Sequence, residues 1–204
     1  MKNTKKNTNN IKARITKEEI NSFEMIDYTG QIHLIDTEQK AQDISKRFQE
    51  LNQKYNCTGL DTESRPSFKK TDNFRISLIQ VSFEDECFLF RLNKIQCPDY
   101  LVEYLEDENL IKTGVAVKDD CRDLKKQYHI NAKGVVDVQD LAKAQGYITL
   151  GLQSLTGILL EKKISKKAKL TNWENNKLTD AQIRYAATDA WISLKLYQAL
   201  DKKD

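Results

Sequence analysis

Glycine is scarce, at seven of 204 residues, and neither G-x-G-x-x-G nor G-K-[ST] occurs. Without such a loop to cradle phosphates, P-loop nucleotide chemistry is set aside. Histidine is scarcer still: His33 and His129 are the only two, and neither falls in the motifs below, so a histidine general base is not expected. The four cysteines, Cys57, Cys87, Cys97 and Cys121, show no C-x-x-C spacing. Reduced or buried thiols are therefore expected, not a disulfide framework or a zinc site. No apolar run approaches the length of a membrane span, and no hydrophobic signal segment opens the chain. These absences set the expectation of a soluble, intracellular protein with no membrane partner, cytoplasmic or, in a eukaryote, nuclear.

Acidic and basic groups nearly balance, at 30 Asp and Glu against 33 Lys and Arg. Residues 1–14 hold five of the bases (Lys2, Lys5, Lys6, Lys12 and Arg14) and no acid, which leaves 28 bases against 30 acids, or −2, for the rest. A nucleic-acid partner is thus not written in bulk charge and has to be sought in local patches. The first fourteen residues, with almost nothing apolar, are read as a disordered basic tail or a phosphate-binding arm. Residues 15–204 are expected to form one domain with a full core.

A short helix is predicted around Ile15–Phe23, with Thr16 as cap and Glu19 three residues on. Gln31–Ile35 alternates like a strand, and Thr37–Tyr55 carries Ala41, Ile44, Phe48 and Leu51 at helical spacing. Three strands follow: Cys57–Glu63, then Arg75–Phe83 after a turn-rich stretch, and Cys87–Leu92 as its hairpin partner. Strands at Ile111–Val117 and Gly134–Val138 alternate with helices at Tyr100–Leu105 and Asp119–His129. From Leu141 the periodicity is helical, through Leu152–Leu160 and a final helix over about Thr179–Leu200. A meander followed by alternation and then helices describes an α/β layered domain with a mixed sheet.

Within this frame Asp61-Thr62-Glu63 carries the first chemistry. Strand side chains alternate, so Asp61 and Glu63 share one face while Leu60 and Thr62 point to the other. Adjacent carboxylates repel unless a cation sits between them, and a hard divalent ion such as Mg²⁺ or Mn²⁺ answers that need. Alone, a D-x-E triplet is a weak signal.

Two further acids strengthen it. Asp120 follows the apolar Gly114–Val117 at the opening of a helix, where α/β sheets gather functional groups. Asp119 and Asp123 compete with it, and position alone does not choose; an acid there also suits the helix dipole. In Tyr185-Ala-Ala-Thr-Asp189 the tyrosine and aspartate are four apart and face the same way. Ala186 and Ala187 between them let the helix lie close to its neighbour. A structural ion pair of Asp189 with Arg184 or Lys195 is the competing account of this mid-helix acid. Asp137 and Asp140 are read as helix-capping acids, and Trp173 and Trp191 as core.

The motifs GLDTE, GVAVKDDCRDL and YAATDAW, in this order, resemble those of the DEDDy branch of the 3′-5′ exonucleases. Lesser matches are RPSF at Arg65–Phe68, SLIQVS at Ser77–Ser82, LQSL at Leu152–Leu155 and NW at Asn172–Trp173. The resemblance runs from about Gly30 to Leu200 and implies a ribonuclease-H-like fold, here a mixed five-stranded sheet flanked by helices. It implies Asp61, Glu63, Asp120 and Asp189 as ligands of two divalent ions, Mg²⁺ or Mn²⁺. Asp120 is chosen over Asp119 because the family places a leucine four residues after the ligand, here Leu124. It implies Tyr185 as the residue that orients the nucleophilic water, since a phenol is a poor base at neutral pH. Thr62 is implied near the terminal sugar through its backbone. Relatives close to this branch often carry Trp after the motif-one Glu; here it is Ser64, which bears on substrate preference.

The activity so implied is metal-dependent 3′-5′ hydrolysis of DNA or RNA, at single-stranded or recessed ends, releasing nucleoside 5′-monophosphates. The alternatives are a phosphodiesterase acting on oligonucleotides or dinucleotides, and a catalytically silent nucleic-acid-binding module. Glu161–Lys169 carries five lysines against one acid. Lys166 and Lys167 in this run are candidate contacts to backbone phosphates, the competing account being a solvated face. Lys69 and Lys70 sit beside the first motif.

Overall fold

Threonine caps start three of the helices that the sequence announces. In the computed structural model, which describes residues 13–66 and 74–202, the Thr16 hydroxyl accepts from the Glu19 amide and the Glu19 carboxylate accepts from the Thr16 amide at 2.8 Å. This reciprocal box opens α1 (Lys17–Ser22). Next come β1 (Glu24–Met25), β2 (Gln31–Ile35) and α2 (Glu38–Lys54), the last capped by Thr37. The meander follows as β3 (Cys57–Ser64), β4 (Ile76–Ser82) and β5 (Glu86–Phe90). Alternation begins with α3 (Asp99–Glu106), β6 (Ile111–Gly114), α4 (Val117–Tyr128) and β7 (Val135–Asp137). The chain closes with α5 (Val138–Ala144), α6 (Leu152–Leu160), β8 (Lys162–Lys163) and α7 (Asp180–Asp201), which Thr179 and Gln182 cap as a second box.

The main sheet has six strands, not the five expected, in the order β2-β5-β4-β3-β6-β7. The sixth is the alternating Gln31–Ile35 segment, which joins the outer edge by pairing parallel with β5, Gln31 opposite Glu86 through Ile35 opposite Phe90. A parallel partner needs a crossover connection, so local alternation cannot announce the pairing. The meander pairs β3–β4 and β4–β5 antiparallel, and β3–β6 and β6–β7 parallel, giving a mixed sheet. The short β1 and β8 pair separately.

All seven residues of β4 are buried, because helices cover both faces of the sheet. Alternation along β4 therefore sorts side chains between two apolar layers, not between core and water. Ile79 and Val81 join Phe48, Leu101, Leu105 and Leu124 from α2, α3 and α4. Leu78 joins Ala186 and Ala187 of α7 on the opposite face. A third cluster packs α5 and α6 on the far half of α7, through Val138, Leu155, Ile192 and Leu196.

The strand predicted to reach Val117 stops at Gly114. Ala116 takes a left-handed conformation (φ 63°) that turns the chain into α4. Glycine is needed at 114, since a Cβ there would lie 2.6 Å from that of Val117 and 2.8 Å from the Leu60 carbonyl oxygen. The tight turn brings the first turn of α4 beside the C-terminal half of β3. The four cysteines are free thiols, and among the described residues no helix is long and apolar enough to cross a membrane. Residues 1–12 of the predicted tail, Lys69, Lys70 and part of the RPSF match lie outside the described residues. Ala13 is docked, its carbonyl accepting from the Ile148 amide at 2.8 Å.

Candidate active site

β3 presents Asp61 and Glu63 toward α7, and α7 presents Tyr185 and Asp189, one turn apart, toward β3. One oxygen from each of Asp61, Glu63 and Asp189 lies within 4.8 Å of the others. Register places Gln80 opposite Asp61 and Leu78 opposite Glu63, and β3 breaks register between Glu63 and Ser64. Such an irregularity bends a strand and re-aims its side chains. Asp189 is 5% exposed and its Oδ1 is buried with no hydrogen-bond partner. Neither cation that could have paired with it does so: Lys195 bonds Glu84, and Arg184 donates to the Tyr28 carbonyl at 3.4 Å.

This crowding is written in the acidities. Burial, and then the charges of Asp120, Glu63 and Asp189, push Asp61 well above the usual carboxylate range. Burial and the neighbouring carboxylates raise Glu63 to about 8. Burial raises Asp189 to about 7, against the lowering effect of the Tyr185 hydroxyl and of Lys169. Three acids this close, one with an orphaned oxygen, are unfavourable as an empty cluster, and oxygen donors of this kind fit a hard divalent cation.

Asp120 stands beside the trio, in the first turn of α4. The Thr62 hydroxyl, on the opposite face of β3 from Asp61 and Glu63, donates to its Oδ1. The Thr62 amide donates to Asp61 Oδ1 at 3.0 Å. Thr62 thus ties the two acids together, a role the sequence did not suggest. Asp120 is raised to about 6 by burial, the Thr62 bond opposing the shift. Of its competitors, Asp119 pairs with Arg122 on the surface, while Asp123 lines the rim of the cleft over the acids.

That cleft has a volume of about 590 Å³, and Lys169, Phe74 and the 71%-exposed Leu170 line it with the acids. Lys169 is the cation of the 161–169 run whose field lowers both Glu63 and Asp189. Lys166 faces an adjoining hollow, and Lys167 faces another, beside Asp27 and Arg184. The signal lay in the apolar spacing: Ile164 and Ala168 are buried four apart, so the lysines between and after them diverge.

Behind the cleft, Tyr185 is 8% exposed and its ring centroid lies 6.1 Å from that of the wholly buried Trp173. Burial and the Asp189 charge push its hydroxyl above the ordinary tyrosine range, so it stays protonated. Trp173 precedes α7 in a loop held by Arg91, itself 1% exposed, which donates to the carbonyls of Trp173, Asn175 and Asn176. A charged residue so deeply buried had no signature in the sequence. Asp137 caps α5 as read, accepting from the Gln139 amide, and also accepts from the Ala116 amide at the α4 turn. Asp140 instead pairs with Lys118. Trp191 is partly buried against Tyr28.

Residues 32–203 match a protein family described as 3′-5′ exonuclease. The chain belongs to that family. A 3′-5′ exonuclease of Arabidopsis thaliana is 36% identical over 148 residues, which are 70% of this chain and 51% of the relative. The chain thus spans about half the length of that relative. The EXO domain of Aedes aegypti Nibbler superposes with a TM-score of 0.74 at 21% identity, over 85% of this chain and 88% of the other. It shares the fold. The EXD2 exonuclease domain, in a crystal soaked in Mn and Mg, is 27% identical with a TM-score of 0.51, over 84% of this chain and 90% of the other.

Proposed function

We propose that the chain is a metal-dependent 3′-5′ exonuclease that shortens DNA or RNA from a free 3′ end, releasing nucleoside 5′-monophosphates. The observation that carries this reading is the close trio of Asp61, Glu63 and Asp189, the last of them buried with one carboxylate oxygen unpaired. The Mn and Mg soak of the EXD2 exonuclease domain supports the choice of cation.

Asp61, Glu63 and Asp189 would hold one ion, and Asp120, tied beside Asp61 through Thr62, would help to hold a second. Bound there, divalent ions supply acidification of water and stabilisation of charge on the departing 3′ oxygen. Everything else falls to the side chains. Tyr185 keeps its proton and points its hydroxyl into the cleft beside Asp189, where it orients the attacking water without acting as base. Lys169 offsets part of the carboxylate charge and draws the phosphodiester in. Thr62 keeps Asp61 and Asp120 in register.

The test is digestion of a 5′-labelled single-stranded DNA and its RNA counterpart in Mg²⁺, Mn²⁺ or EDTA, beside Asp189→Ala. A metal-dependent ladder shortening from the 3′ end, absent from the variant, is expected. Binding without cleavage in every metal would leave the silent binding module, and cleavage confined to dinucleotides would leave the small-substrate phosphodiesterase.

A further inference from the structure

The carboxylate cleft continues into a second hollow of about 270 Å³, and the two share Gly151, Leu152, Lys169, Tyr185 and Asp189 in their walls. The second hollow is differently charged. Lys17, Lys166 and Lys169 line it, and Asp189, shared with the cleft, is its one acid. None of the three lysines closes an ion pair among the described residues. Its floor is the start of α6, Gly151 to Ser154, where Gly151 stands at the cap position and no side chain caps the helix, so the first-turn amides have no side-chain partner there. Three unpaired cations around such amides make a place for a phosphate.

Lys17 reaches this hollow from α1, which precedes the family match at residue 32. The segment is stitched down along its length. The Ala13 carbonyl accepts from Ile148, Ile15 and Ile20 pack where Gly157 of α6 has no side chain, and β1 pairs with β8. Lys162 of β8 bonds Glu24 and Lys163 donates to the Asn21 carbonyl at 2.7 Å. Lys162 and Lys163 of the 161–169 run thus hold β1 and α1 to β8, and Lys166 and Lys169 are left facing the hollow.

Resting on the exonuclease reading, we propose that Lys17, Lys166 and Lys169 form a subsite for the backbone phosphate one nucleotide upstream of the scissile bond. The chemistry of the substrate assigns the direction. The terminal nucleotide has one phosphate, the one being cleaved, so a second phosphate beside the carboxylates belongs to the 5′ side. α1 is then a wall of the substrate groove, and the enzyme gains from a substrate of three nucleotides over one of two.

The experiment compares kcat/KM on the dinucleotide TpT, which has only the scissile phosphate, with that on TpTpT, which adds one upstream. Wild type is expected to favour TpTpT. In Lys17→Ala the TpTpT-to-TpT ratio should fall about fivefold at 0.1 M salt, and the slope of log kcat/KM against log salt on TpTpT should flatten by about 0.7, the value for one lost contact on a single strand. Lys17→Arg should restore both, and Lys166→Ala, on a separate segment, should repeat the loss, which separates a lost charge from a displaced α1. Equal wild-type values on the two substrates, or a ratio unmoved by both alanine variants, would overturn the subsite while leaving the exonuclease reading intact. A wild type that binds TpTpT no better than TpT and cleaves neither would likewise overturn the subsite, whereas failure to shorten the labelled DNA and RNA strands in Mn²⁺ would instead remove the exonuclease reading.

Discussion

Gly59 of β3 and Ala190 of α7 meet backbone to backbone: a Cβ on Gly59 would lie 2.7 Å from the Ala190 carbonyl carbon and closer still to its oxygen. Gly59 is two residues before Asp61, and Ala190 follows Asp189. The separation of the β3 acids from the α7 acid is therefore set by a contact between a residue with no side chain and a helix carbonyl, neither of which can yield. Ala186 and Ala187, both wholly buried, extend the same close approach toward Tyr185.

Gly59→Ala should consequently damage stability and site together. Overpacking commonly costs about 1–3 kcal/mol, and here the obstruction is backbone, which places the cost near about 3 kcal/mol. For a chain of this size that lowers Tm by roughly 6–12 °C. Because α7 must lift to relieve the overlap, Mn²⁺ affinity measured by calorimetry should fall as well. A variant within 2 °C of wild type and with unchanged Mn²⁺ affinity would show that the helix spacing does not govern the carboxylates.

The carboxylates themselves should make the metal-free protein weaker in alkali. In the folded state Glu63, Asp189 and Asp120 are raised to about 8, 7 and 6, whereas carboxylates in an unfolded chain titrate near about 4. Between those limits the native state binds more protons than the unfolded one, so stability falls as pH rises. Each contribution is complete below about pH 4 and is lost as pH climbs through the folded value. In EDTA, Tm should decline from pH 5 to pH 8.5, and saturating Mn²⁺ should reverse the trend by holding the acids ionised. Asp61→Asn should raise the EDTA Tm at pH 8. A flat or rising EDTA profile would contradict the crowding.

Period-two alternation placed Asp61 and Glu63 on one face, and the four-residue spacing placed Tyr185 over Asp189, because both are local rules of strand and helix. The cap at Thr16 was legible for the same reason, and the helices put at Thr37 and Thr179 begin with those residues as caps. What escaped was set by distance along the chain. β2 finds its partner β5 some fifty residues on, and Arg91 finds its carbonyls more than eighty residues on. The Thr62–Asp120 bond joins side chains 58 residues apart. The hydroxyl reaches Asp120 only because Gly114 and Ala116 turn α4 against β3. The lysine run was visible as charge, but which lysine faces the acids depended on Ile164 and Ala168 anchoring a turn that no regular period describes.

Arg91 shows how far from the acids the site is supported. Arg91 closes no ion pair among the described residues, and its guanidinium donates to the Asn176 carbonyl at 2.9 Å and the Trp173 carbonyl at 3.4 Å as well as to that of Asn175. Those carbonyls belong to the loop that seats Trp173 beneath Tyr185 and leads into α7. Removing the side chain strips three charge-assisted bonds from the loop and leaves a void where a buried residue stood, so Arg91→Ala should cost about 3 kcal/mol or more. Arg91→Lys should recover little, because a single ammonium cannot fork across three carbonyls as a planar guanidinium does. Since the loop positions Tyr185, kcat should fall in both variants at temperatures where they remain folded, and Trp173 emission should shift to the red as water enters. An Arg91→Lys protein with wild-type Tm and kcat would show that the forked geometry is dispensable and that packing alone holds the loop.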